Sequence, residues 1–168
     1  GDLGRSVKHL ATALGLAPGD TTLASAIERI RTVMASRSRA AEATESAVKL
    51  AKQVTGRPNV IVFQGSFHGR THQTMAMTTS KTVYRAGHAP LPSGIFIAPY
   101  PNVRVNDIEA EVTRALAGFD ELLTSVTAPK ETAAVIIEPV LGEGGYVAAP
   151  SGFLEAIDRR CKEHGMLF

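Results

Sequence analysis

Two short stretches of this sequence combine side chains that can do chemistry with glycines that let a backbone come close to a ligand. The first is Gln64-Gly65-Ser66-Phe67-His68-Gly69-Arg70-Thr71. Its two glycines permit a sharp turn and a close approach. Phe67 offers a flat face that either stacks on a planar heterocycle or fills the core. His68 adds a polar group near a helix start. Spacing alone leaves the stretch equally readable as a plain strand-to-helix turn. The second stretch is Ile137-Glu138-Pro139-Val140-Leu141-Gly142-Glu143-Gly144-Gly145. A carboxylate at the end of an apolar strand is costly unless it meets a partner. Pro139 directly after it ends the strand ladder. Glu138 is therefore either a site carboxylate or a strand end in water.

Three further residue types need weighing. Ser80-Lys81 has the look of a Schiff-base context, and a desolvated lysine can form that bond. His68 and His72 stand four apart, a spacing that can pair ligands on a helix, but no third ligand lies nearby in sequence. Cys161 is the one cysteine, so no internal disulfide can form. It falls in a helical pattern, which reads as a packed thiol rather than a nucleophile.

The elements that must position these residues follow from periodicity and breakers. Residues 4–16 and 21–35 show helical spacing, with a break at Ala17-Pro18-Gly19-Asp20. A third helix is expected over residues 40–54, with Ala43, Ala47, Leu50 and Val54 on its apolar face, stopped by Gly56-Arg57-Pro58. Residues 59–64 are a β-branched apolar run and predict a strand buried on both faces. A short helix is expected over 70–79 and a second strand over 95–98. A long helix capped by Asn106 or Asp107 runs to about Thr124. Residues 133–140 give the strongest strand, and a last helix runs from Ser151 through His164. Met166-Leu167-Phe168 begins another strand. Helices alternating with short apolar strands predict an α/β fold, with flanking helices on a mostly parallel sheet. Such sheets place sites at the C-terminal ends of their strands, here residues 65–69, 99–101 and 138–145.

Composition bounds the rest. The chain has 168 residues, 44% hydrophobic and 20% charged, an ordinary globular balance. A net charge of +2 argues for neither nucleic acid nor an acidic membrane surface. The basic cluster Arg29, Arg31, Arg37 and Arg39 reads as a solvated face. With a lone cysteine, no membrane-length apolar run and no signal-like N-terminus, the expected location is cytoplasmic.

Ser66-Phe67-His68-Gly69-Arg70-Thr71 is similar to the Ser-Tyr/Phe-His-Gly-Arg-Thr segment of class III, pyridoxal-phosphate-dependent aminotransferases. The run from Ile137 to Gly145 resembles a second motif of that family. Residues 42–51 resemble the helix that follows its phosphate-binding turn, although Ser38-Arg39-Ala40 stands where the family has Asn-Ser-Gly. The segments Lys81-Thr82-Val83-Tyr84-Arg85 and Pro99-Tyr100-Pro101 resemble 4-aminobutyrate aminotransferases in particular. The resemblance implies a partial large domain of the type I pyridoxal-phosphate transferase fold over residues 42–168, preceded by an atypical helical segment, 1–41. It implies pyridoxal 5'-phosphate as cofactor, with Phe67 stacking on its ring, His68 and Gly69 beside it, and Ala41 and Glu42 at the phosphate turn. It puts Glu138 beside the cofactor. It puts Glu143 in a salt bridge with an arginine that moves aside for dicarboxylates. The implied activity moves an amino group from an ω-amino acid such as 4-aminobutyrate to 2-oxoglutarate, in a parent enzyme that is a homodimer. The family's Schiff-base lysine, the aspartate at the pyridine nitrogen and the substrate-carboxylate arginine are expected beyond Phe168, and the position of Lys81 does not correspond to that lysine. The chain by itself is therefore expected to be inactive. A different reading is an inert truncated paralogue or assembly partner. Another transaminase or an aminomutase is a third.

Overall fold

Asn59–Phe63 form β1, the middle strand of a parallel three-stranded sheet, in a computed structural model that describes residues 40–104 and 106–168. The helices expected over 4–16 and 21–35, and the basic cluster, lie outside the described residues. Around β1 the chain runs α1 (residues 40–55), β1, α2 (His72–Met77), β2 (Ile95–Ala98), α3 (Ile108–Ser125), β3 (Thr132–Val135), β4 (Val140–Leu141), β5 (Val147–Ala148) and α4 (Phe153–Glu163). The sheet order is β2-β1-β3, both pairings parallel, with Val60 opposite Ile95 and Ile61 opposite Val135. Beyond β3 one parallel bridge, Ala134 to Leu167, adds the start of the strand expected at 166–168. The α/β fold with a parallel sheet and flanking helices is as the sequence predicts.

Alternation along β1 divides the core in two. Ile61 and Phe63 join Phe119 and Leu123 of α3 and Phe153, Ile157 and Cys161 of α4. Val60 and Val62 join Val48 of α1 and Met77 of α2. Phe63 lies parallel to Phe119 at 6.3 Å between centroids and meets the Phe153 ring edge-on at 5.8 Å. Truncating one such buried ring to alanine costs about 3–5 kcal/mol.

The packed face of α1 is not the one expected. Ala41, Val48 and Ala51 are buried, while Leu50 and Val54 are 61% and 69% exposed. The inward residues are small, and smallness brings the helix backbone close to the sheet and to the loop after β1. Hydrophobic size alone chose the wrong stripe.

Two other elements differ from expectation. α2 is shorter than 70–79, because Glu45 of α1 takes the Gln73 amide at 3.1 Å and the Thr71 hydroxyl at 2.5 Å, fixing the helix start at its N-cap Thr71. The run 133–140 is not one strand. β3 ends at Val135, and the chain re-forms as β4, paired antiparallel with β5. Pro139 has no N–H to extend the ladder, and Glu138 turns toward the β1 loop. Arg57 closes the opposite end of the sheet. Its Nη1 lies within 2.8–3.3 Å of the carbonyls of Pro129, Thr132, His164 and Gly165. Among the described residues no helix is long and apolar enough to cross a membrane.

Candidate functional site

The loops after β1 and β3 meet at the C-terminal edge of the sheet. The loop after β1 is knitted to the end of α2 by main-chain and hydroxyl bonds. The Ser66 amide donates to Thr79 Oγ1 at 3.0 Å, and the Thr79 and Ser80 amides donate to the Ser66 carbonyl at 2.8 and 3.0 Å. The His68 amide donates to Thr78 Oγ1 at 3.0 Å. Ser66, Thr74 and Thr78 are wholly buried. This polar lattice holds Phe67 half-buried at the edge, outside the core clusters of the described residues, so the core-filling reading of Phe67 does not apply.

Glu138 meets this loop directly. Its Oε2 accepts the Phe67 amide at 3.0 Å, across 71 residues of sequence. The carboxylate is partnered rather than a strand end in water. Tyr100, from the loop after β2, is buried beneath, with its hydroxyl 3.5 Å from the Glu138 carbonyl and 3.4 Å from that of Pro139. Burial, and then the charge of Glu138, push the Tyr100 phenol up to about 12, so it stays protonated. A cavity of about 200 Å³ opens beside it, lined in part by Gln64, Asn102, Arg104 and Leu141.

Glycines set the closeness of the walls. A Cβ on Gly144 would stand 2.6 Å from the Gly65 carbonyl oxygen, so the β4–β5 turn rests on the β1 loop. Gly69, at φ +133°, has no room either, because a Cβ there would stand 2.5 Å from Cβ of Ala41. That contact joins the first described turn of α1 to the loop. Ala41 is buried in it, and Glu42 beside it is exposed.

Glu143 sits at the tip of the hairpin. Its Oε2 accepts both Lys81 Nζ at 3.0 Å and the Tyr84 hydroxyl at 2.8 Å. The Tyr84 ring meets Phe67 edge-on at 5.0 Å. The hydrogen bond to Glu143, then the charges of Tyr84 and Glu143, raise the Lys81 pKa. Lys81 is solvent-exposed and ion-paired rather than desolvated as a Schiff-base lysine needs to be. His68 is buried, and desolvation lowers its pKa to about 4, so the ring is neutral near pH 7. Its Nε2 is buried without a hydrogen-bond partner. His72 is exposed, with Nε2 at the Pro90 carbonyl (3.2 Å), and does not converge with His68. Burial, then the charge of Asp158, push the Cys161 thiol up to about 12, so it is a packed group as the sequence predicts.

Some of the residues singled out in the sequence meet at this edge, Phe67 with Glu138, Gly69 with Ala41, and Glu143 with Lys81, whereas Glu42 and His72 are exposed and Cys161 packs in the core. Sequence reasoning set Lys81 aside as a Schiff-base candidate, and it saw Tyr84 only within a segment resembling 4-aminobutyrate aminotransferases. The available signal was their spacing of three within one turn, which puts both side chains on one side. The arrangement fits a planar heterocycle in its chemistry. It offers an aromatic face, a neutral buried imidazole, and glycines where a backbone approaches closely.

Comparison with known proteins accounts for this combination. Residues 10–168 match the family described as aminotransferase class-III. The chain is 40% identical over 126 residues to the 5-aminovalerate aminotransferase of Pseudomonas putida, covering 75% of this chain and 29% of that protein. It is 38% identical over 126 residues to the 4-aminobutyrate aminotransferase of Escherichia coli, with the same two shares. The chain therefore spans about three-tenths of the length of these relatives. A solved structure of taurine:2-oxoglutarate aminotransferase from Bifidobacterium kashiwanohense, in complex with pyridoxal phosphate and glutamate, superposes with a TM-score of 0.67 at 26% identity, covering 76% of this chain and 30% of that one. The motifs, the parallel sheet and these matches agree, and the chain belongs to the class III aminotransferase family.

Proposed function

We propose that this chain forms one wall of the active site of a pyridoxal-phosphate-dependent aminotransferase, acting on an ω-amino acid donor of the 4-aminobutyrate or 5-aminovalerate kind, with 2-oxoglutarate as acceptor. The observation that carries the reading is the Phe67–Glu138 bond, which joins the two motifs at the sheet edge and leaves the Phe67 ring half-buried there. The substrate class follows the names of the relatives.

Bound pyridoxal phosphate would supply an electron sink for charge developing on the donor carbon. Phe67 would pack on the cofactor ring and fix its plane. Glu138 holds the Phe67 main chain, and so the height of that ring. His68, neutral and buried, lines the loop without adding charge. Ala41 and Glu42 would stand near the phosphate, where helix amides favour an anion. The closely packed β4–β5 turn would exclude water from one side. In this reading residues 42–168 are part of a cofactor-binding large domain, and the enzyme is a cytoplasmic homodimer.

Lys81, beside Tyr84, is ion-paired to Glu143 and is not placed as a Schiff-base lysine. We therefore expect the chain alone to bind cofactor without turnover, the property of an inert paralogue or assembly partner as well. A titration with pyridoxal phosphate, followed by a coupled assay for glutamate from 4-aminobutyrate and 2-oxoglutarate, tests this. Saturable cofactor binding without glutamate is the expected result. Absence of binding overturns the cofactor site, and robust turnover overturns the assignment of Lys81 as a non-nucleophile.

A further inference from the structure

Lys81 and Tyr84 belong to one turn of 3₁₀-helix, Thr82–Tyr84 with Lys81 at its N-cap. Both polar ends meet on a single atom, Oε2 of Glu143, which lies 62 residues beyond Lys81. The Lys81 ammonium is also 5.9 Å from the centre of the Tyr84 ring, and the Arg70 guanidinium carbon is 6.0 Å from it. The Tyr84 ring also meets Phe67 edge-on at 5.0 Å. Tyr84 thus touches both halves of the site, the hairpin through its hydroxyl and the aromatic loop through its ring.

We propose that Lys81 and Tyr84 are positioning residues, which hold the Glu143 carboxylate and the edge of the Phe67 ring in one frame and so fix the β4–β5 hairpin against the cofactor-facing loop. The proposal rests on the cofactor reading of Phe67 given above. Two arguments support it beyond proximity. Glu143 is a negative charge at the rim of a site for an anionic cofactor and anionic substrates, and the Lys81 ammonium offsets it. Tyr84 supplies a directional bond that a point charge cannot, so Lys81 sets the charge and Tyr84 sets the orientation.

The test uses the full chain with pyridoxal phosphate as the probe, in Lys81→Met, Lys81→Arg, Tyr84→Phe and Glu143→Gln variants. Lys81→Met and Tyr84→Phe should each weaken cofactor binding about three- to tenfold and shift the absorption band of the bound cofactor. Lys81→Arg should restore affinity to within about twofold, with the thermal midpoint unchanged across the set. Carbon-13 NMR of the Lys81 methylene should show its titration returning toward the ordinary lysine range in Glu143→Gln. Equal affinity of Lys81→Met and the unaltered chain overturns the inference alone, as does a Lys81 titration indifferent to Glu143→Gln. A lowered thermal midpoint without rescue by arginine reduces the role to stability and also overturns it. No cofactor binding by the unaltered chain overturns the cofactor reading, and the inference with it.

Discussion

The backbone amide of Phe67 donates to the Oε2 atom of Glu138 at 3.0 Å, and this bond joins the loop after β1 to the segment after β3. A carboxylate that accepts an amide makes a charge-assisted bond, shorter and stronger than one between neutral groups. It is directional, so it sets where the Phe67 ring stands.

Replacing Glu138 by glutamine keeps the shape and removes the charge. The bond weakens by about 1–2 kcal/mol, and pyridoxal phosphate affinity should fall about tenfold. Phe67→Ala removes the ring itself and should lower affinity by more, while leaving the folded state intact because Phe67 is outside the core clusters of the described residues. Titration calorimetry with circular dichroism on the same samples checks both. A Phe67→Ala protein that binds the cofactor as well as the original would contradict the stacking role.

Gly144 and Gly69 should not tolerate alanine. In Gly144→Ala the new methyl group meets a backbone oxygen, which cannot swing aside, and the expected loss is about 1–3 kcal/mol. Gly69→Ala adds strain at φ +133° to a collision with Ala41, and should lose at least as much. Urea unfolding of the two variants reads these losses. Gly142→Ala, with nothing within 4 Å of its added Cβ, is the internal control.

His68 makes stability depend on pH in a defined window. Its folded pKa is lowered from 6.5 to about 4 by burial. The unfolded chain therefore binds the extra proton more readily between these values. Stability is at its full level above pH 6.5 and declines as pH falls toward 4, by about 3 kcal/mol at most. A His68→Gln protein should show a flatter stability curve between pH 4 and 6.5 than the original. Equal slopes in chemical denaturation across that window would rule this out.

Cys161 should be inert in the folded chain. It is wholly buried on α4, with a thiol pushed up to about 12. Maleimide labelling at pH 7 should be at least about a hundredfold slower in the native protein than in urea, because reaction needs both opening and the thiolate. Mass spectrometry of timed samples reads it. Rapid labelling of native protein would show that α4 opens readily.

The legible parts of the sequence were those governed by short-range pattern. β1 announced itself by its uncharged β-branched run, and α3 by Asp107, whose side chain accepts the Ala110 amide at 2.9 Å. The site motifs were legible because glycine, aromatic and carboxylate occur together. Long-range contacts decided the rest. Nothing local says that Ala41, rather than the larger Leu50, faces inward, because Gly69 and the sheet make that choice. Nothing local says that Glu138 leaves the strand for an amide 71 residues earlier. Nothing local says that Lys81 meets Glu143, 62 residues further on.

The close contacts at Gly69 and Gly144 differ in kind from the ionic tie at Lys81. A hard-core contact does not change with ionic strength, whereas attraction between exposed charges fades as the Debye length shrinks to about 3 Å at 1 M salt. The walls of the niche should therefore keep their outline in brine while its electrostatic frame relaxes. Shape and charge at this site answer to different solvents, and salt can separate them.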